Sequence, residues 1–277
     1  MFDPDIYEKY SKIIKRIRIC RVLLTIFTVV AVFATLILSG LITINGSTVV
    51  KEGLSLPITL LIIVLLLIVT VFVAAFINMP IINALYFECD PEKSFVLSEK
   101  LLSGSQQTLY LTQALLAMGE FTLAMNHLRI LIDKSKKTDP DLIFQKAGIE
   151  FFTGDYDSMK TSIDQFLEYR GNFKNTNKKQ NSILDKCSTV LMLFSAIAEN
   201  DREKIKALGK AVEPWTDYKL TTVYVAYLKG ISAHLTGDKL EAIYQLLYIT
   251  KNYDKTFMAS LARDIVSSYD NDQNGGI

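Results

Sequence analysis

The uncharged stretch from Leu56 to Ile77, LPITLLIIVLLLIVTVFVAAFI, leaves this 277-residue chain few ways to fold. At a rise of about 1.5 Å per residue, a helix of that length crosses a hydrocarbon core of roughly 30 Å. A second stretch, Val22 to Ile44, is equally free of charge. It is longer than the apolar region of a cleavable signal, typically about 7–15 residues, and is expected to stay in the mature protein. The pattern predicts a transmembrane hairpin over residues 22–80, with spans 22–44 and 56–78 joined through the turn signal Asn45-Gly46-Ser47 in the link Asn45 to Gly53.

Ahead of the hairpin, residues 1–21 carry Lys9, Lys12, Lys15, Arg16, Arg18 and Arg21, with Ile6, Tyr10, Ile13, Ile14 and Ile17 at three-to-four spacing. This is the pattern of an amphipathic helix lying at the membrane surface, its bases toward anionic lipid head groups. Six bases precede the spans and only Lys51 lies in the link, so the positive-inside rule places the N-terminus and the C-terminal domain in the cytoplasm. Ala31, Thr35 and Ser39 in the first span, with Thr70 and Ala74 in the second, recur at four-residue spacing and are expected to form the face where the helices meet. Neither span contains an ionisable residue, so the hairpin reads as an anchor rather than an ion pathway.

Beyond Pro80 the pattern changes to short amphipathic helical segments. Gly119-Glu120-Phe121, Gly154-Asp155-Tyr156, Asn200-Asp201-Arg202 and Gly237-Asp238-Lys239 begin 35, 46 and 37 residues apart, near the roughly 34-residue period of helix–turn–helix repeats. The long middle interval contains Gly171 to Asn181, which reads as an inserted loop bearing Lys174, Lys178 and Lys179. Ala147 and Gly230 stand seven residues before their turn glycines, Ala124 and Ala242 five after theirs, and Leu128, Ile163 and Leu246 four further on. In these motifs the chain resembles the tetratricopeptide repeat family. The resemblance covers roughly Ser105 to Tyr253; the third unit departs from it, with Leu193 and Ile205 at small positions and Asn200 in place of Gly.

The fold expected is therefore all-α: a two-helix transmembrane hairpin followed by a tetratricopeptide-like α-solenoid over residues 81–269. Asn83 to Glu88 would supply a first helix and Asp90-Pro91-Glu92 the cap of the next, almost without a linker after the second span. Lys255 to Tyr269 reads as a capping helix and residues 270–277 as a disordered tail. The resemblance places the first helix of each pair along a partner-binding groove, which would hold Gln106, Gln113, Phe144, Phe151, Phe194, Tyr224, Tyr227 and His234. Such aromatic walls suit an amphipathic helix or an apolar peptide.

Other functions find less support. The formal net charge of +1 does not suit a nucleic-acid protein. His127 and His234 belong to no metal-ligand spacing, and no phosphate loop, nucleophile elbow or dinucleotide fingerprint occurs, so neither catalysis nor a cofactor is expected. Cys20, Cys89 and Cys187 are odd in number and far apart, as reduced thiols are. The expectation is a non-enzymatic scaffold or adaptor with a protein or peptide partner. An accessory subunit of a transporter or channel and a structural homo-oligomer are the alternatives. Abundant Lys, Asn, Ile and Tyr lean toward a bacterial plasma membrane.

Overall fold

A computed structural model describes residues 4–39, 56–135, 139–173 and 177–274. The expected link Asn45 to Gly53, the last residues of the first span, Lys174 of the insert and residues 275–277 lie outside them. The described residues form helices, with no strand among them. The chain divides into two units, residues 1–82 and 83–277.

In the first unit, α1 (Pro4–Leu38) and α2 (Leu56–Tyr86) are both long and apolar enough to cross a membrane. The expected surface helix over residues 1–21 is not a separate element. α1 runs unbroken from Pro4 because no glycine or proline interrupts it as far as Leu38. Along it Tyr10, Ile14 and Ile17 are buried, while Lys9, Lys12, Lys15, Arg16 and Arg18 are exposed.

Two contacts fix the antiparallel register of the hairpin. The Arg21 guanidinium donates to Asn78 Oδ1, and Thr28 Oγ1 lies 3.0 Å from Thr70 Oγ1. Thr35 is buried, and Ala31, Ser39, Thr70 and Ala74 are half-buried, whereas Ala75, one step round the helix, is exposed. Thr28, Thr35 and Thr70 each also donate to a carbonyl four residues back, which leaves those hydroxyls paired in an apolar surrounding. The opposite faces carry Leu23, Phe27, Phe33, Leu61, Phe72 and Phe76, all more than half exposed. α2 continues through Pro80, where a boundary was expected, and its final turn belongs to the second unit.

The second unit is a succession of helices, each packed on the next: α3 (Pro91–Leu101), α4 (Gly104–Met118), α5 (Phe121–Lys134), α6 (Pro140–Thr153), α7 (Tyr156–Asn172), α8 (Lys178–Ala198), α9 (Arg202–Ala211), α10 (Lys219–Thr236), α11 (Lys239–Asn252) and α12 (Phe257–Asn274). Local chemistry sets the turns. Gly119, Gly154 and Gly237 end their helices at φ of 82°, 76° and 87°, and Asn200 takes the same left-handed role at 54°. Asp155, Asp201 and Asp238 then cap the next helix by accepting from the backbone N–H three residues on. Asp90 caps α3 in the same way.

Packing follows the small positions. Ala124, Ala147 and Ala242 are wholly buried, and a methyl at Gly230 would come within 2.6 Å of the Leu246 side chain. The third pair departs at this point: Leu193 and Ile205 are fully buried, and the close approach moves to Gly209, where a methyl would meet Ser232 at 2.5 Å. The expected insert 171–181 is shorter than it reads. Gly171 and Asn172 finish α7, and Asn177 caps α8 by accepting from Lys179 N and Gln180 N, so Lys178 and Lys179 are helical. Likewise the helix expected to end at Tyr269 continues to Asn274, where a disordered tail was expected.

α12 does more than finish the array. It packs on α10 and α11 and also returns against α4, where Phe257 crowds Gly119 and sets its ring edge-on to Phe121 at 5.2 Å. Lys255, at the approach to α12, pairs with the buried carboxylate of Asp90. The last helix of the unit thus returns to the side of α4, and the residue before it to the cap of α3.

Candidate functional site

That closure leaves a cavity of about 340 Å³ within the second unit. α6 supplies one wall through Asp141, Phe144, Gln145, Gly148 and Phe152, which share a face at spacings of three and four. α4 adds Gln113, Leu116 and Ala117; α8 adds Ile183 and Cys187; α10 adds Leu220, Thr221 and Tyr224; α12 adds Phe257 and Met258. Phe121 of α5, Tyr86 and the connection before α10 complete it.

The connection from Val212 to Tyr218 is built to present Trp215. Val212 is fully buried, and Lys186 Nζ holds the other side by donating to the Pro214 carbonyl at 3.0 Å and pairing with Glu213 at 3.4 Å. Thr221 Oγ1 donates to the Tyr218 carbonyl at 2.7 Å and lies 3.1 Å from Thr216 Oγ1, which fixes the turn. Trp215 is thereby set edge-to-face against Phe144 at 5.2 Å and Tyr224 at 5.6 Å. At the other end, Phe152 stacks on Phe121 at 5.4 Å and meets Phe257 edge-on at 4.9 Å. Tyr86 stacks on Tyr218 at 4.6 Å and donates to Gln113 Oε1.

Burial favours the neutral forms of several polar groups in this wall. Burial and the neighbouring Tyr227 push the Tyr224 phenol well above its ordinary range. Burial, with a contribution from Asp141, pushes the Cys187 thiol up to about 12. Asp141 is the only Asp, Glu, Lys, Arg or His among the described residues of the lining; it stays exposed in the first turn of α6, and its carboxyl is raised, first by partial desolvation and then by Asp139. Gln145 Oε1 is buried without a hydrogen-bond donor among the described residues. No group of three or more His, Cys, Asp or Glu among the described residues is arranged to hold a metal ion.

Of the residues expected along a groove, Gln113, Phe144 and Tyr224 converge on this pocket. The others do not. Phe151 and Phe194 are buried and stacked on each other at 4.1 Å, 10° from parallel, so they join α6 to α8 in the core. Tyr227 is 3% exposed, and its phenol is pushed up to about 12 by burial. His234 turns away, with Nδ1 2.6 Å from the Tyr269 hydroxyl, and Gln106 lies exposed at the start of α4, outside the lining. Tyr86, Phe121, Phe152, Trp215, Tyr218 and Phe257 are the rings of the lining that sequence reasoning missed. Phe152 carried a readable signal, since Phe144, Gly148 and Phe152 share a stripe that Phe151 leaves by one position. Phe257 and Trp215 carried none, because their places depend on where α12 and the connection before α10 return. No family model, curated protein or solved structure matches this chain.

Proposed function

We propose that this protein is a membrane-anchored adaptor with no chemistry of its own, whose helical unit is a tetratricopeptide-like α-solenoid that captures a protein partner through the aromatic pocket. The observation that carries this reading is the composition of the lining. It draws mainly on α4, α6, α8 and α10, the first helix of each pair, which are the helices that line the binding side in the family the chain resembles, with Phe121 of α5 and Phe257 and Met258 of α12 added to them. The four left-handed turns and the buried small residues support the same assignment. The two apolar helices serve as the anchor, and the bases ahead of them favour a cytoplasmic N-terminus and helical unit at the plasma membrane. With α12 returned against α4, the opening suits a side chain or short segment better than a whole helix, since about 340 Å³ lies near the lower end of small-ligand sites.

A photo-reactive residue at Phe144, in full-length protein in its native membrane, tests the proposal. One specific protein captured there, and lost with Tyr224→Ala, is the expected result. Cross-links only between copies of the chain would replace the adaptor with a homo-oligomer. Capture from Thr35 but not from Phe144 would make the hairpin the working part, as in an accessory subunit of a transporter or channel.

A further inference from the structure

α1 carries its bases on the same unbroken helix as its apolar span. No glycine or proline separates them between Asp5 and Leu38, so the basic segment continues along the axis of the span and does not turn to lie along a surface. Two observations mark where hydrocarbon would end. Arg21 and Asn78 flank the two uncharged runs, and the Arg21 guanidinium donates to Asn78, so both helices turn polar at one level. Exposed side chains on α1 also change character there: beyond Arg21 they include Leu23, Ile26 and Phe27, and ahead of it Arg18, Arg16 and Lys15.

Height along the helix then sorts the bases. Measured from Arg21, Arg18 stands about 4.5 Å out, Arg16 about 7.5 Å and Lys15 about 9 Å, against about 13.5 Å for Lys12 and about 18 Å for Lys9. Head groups extend about 5–8 Å beyond the hydrocarbon on each side, and a tilt of about 20° alters these heights only slightly. Long basic side chains extend the reach of the nearer three to that layer. No acid offsets them. From Lys9 to Arg21 the chain has no Asp or Glu, and α2 has no charged residue from Leu56 to Tyr86. Lys12, Lys15 and Arg16 have no ion pair among the described residues.

We propose that Lys15, Arg16 and Arg18 form a collar that binds the phosphates of anionic phospholipids, while Lys12 and Lys9, on the same helix, stand clear of the head groups. The inference rests on α1 and α2 being the membrane anchor assigned above, and it names the lipid class that the anchor selects. On a helix lying along the surface, by contrast, all five bases would meet lipid alike.

Full-length protein is reconstituted in phosphatidylcholine bilayers that contain a nitroxide lipid, labelled on its acyl chain, as either phosphatidylglycerol or phosphatidylcholine. Electron paramagnetic resonance reads how much of each is held at the protein, and with the label in both leaflets the orientation of the protein does not enter. Phosphatidylglycerol is expected to be favoured at least about fivefold, the effect of one base held at the surface. Arg16→Gln with Arg18→Gln should lose most of that preference, whereas Lys9→Gln with Lys12→Gln, which removes the same charge, should keep most of it. Absence of a preference in the unaltered protein overturns the proposal, as does an equal loss from the two pairs. Equal retention of the two lipids, with a protein cross-linked from Lys12 in native membranes, overturns it in favour of an acidic partner. Failure of the anchor is distinguishable: protein that alkaline carbonate strips from the bilayers removes both proposals, and protein that stays embedded without a lipid preference removes only this one.

Discussion

The two units place the same kinds of residue on opposite sides. In the hairpin, Phe27, Phe33, Phe72 and Phe76 face outward, while Thr28, Thr35 and Thr70 form the inner face. In the helical unit Phe166 and Phe194 are sealed inside, and threonines such as Thr161 and Thr222 lie at the surface. Water drives large apolar side chains into a core, whereas hydrocarbon rewards close backbone approach and paired hydroxyls. The inversion is the one expected of two solvents if the apolar helices of the first unit cross a membrane, as proposed above, and it can be attacked from either side.

The largest expected effect comes from alkali. Burial holds Cys187 and Tyr227 at about 12, against ordinary values of 9.0 and 10.0. Both groups fold in their neutral forms, so the stability they contribute is complete below pH 9 and is lost as pH rises toward 12. Residues Leu56–Ile77 contain no ionisable side chain. Circular dichroism of the full-length protein in detergent should therefore lose the helical unit across that window and level off at a residual helical signal. Retention of the full signal beyond pH 12 would contradict the buried, neutral setting of these groups.

Next in size are substitutions that reverse the inversion. Phe194→Ala empties a fully buried ring site and should cost about 3–5 kcal/mol in denaturant unfolding. Phe27→Ala, on the outward face, should change that transition little, while Phe27→Asp should cost about 2.5–3.5 kcal/mol in a membrane-insertion assay. Insertion indifferent to Asp at this position would remove the lipid-facing assignment. Two glycines sharpen the account of the helical unit. Gly230→Ala drives a methyl to 2.6 Å from Leu246 and should destabilise by about 1–3 kcal/mol. Gly148→Ala meets only the Tyr224 hydroxyl, at 3.7 Å, and should stabilise α6 by up to about 1 kcal/mol while trimming the pocket. The smallest effect belongs to the hairpin: Thr28→Val removes the contact to Thr70 and should weaken association of the two helices by about 0.6 kcal/mol.

Several features were legible because they are local. An uncharged run fixes a span through its length, and Gly119, Gly154 and Gly237 fix turns through a conformation that other residues avoid. Asn200 was readable for the same reason. The errors arose where a residue's surroundings come from far along the chain. Phe151 and Phe144 look alike in a helical pattern, yet one packs against Phe194 on α8 and the other faces the pocket, a distinction set by how α6 is rotated against its neighbours. The insert was overestimated because Asn177 was taken as loop composition rather than as a cap.

The sequence by itself determined the two apolar helices, the chain of helix pairs and the turns between them, since each depends on side-chain period or backbone preference within a few residues. Only the tertiary structure decided that α12 returns to α4, that Trp215 is braced into the cavity by Lys186 and Thr221, and that Phe144 and Tyr224 meet it there. The return of α12 joins residues more than a hundred positions apart, Phe257 to Gly119, and such placements follow from how many small rotations between packed helices accumulate, which no local pattern records.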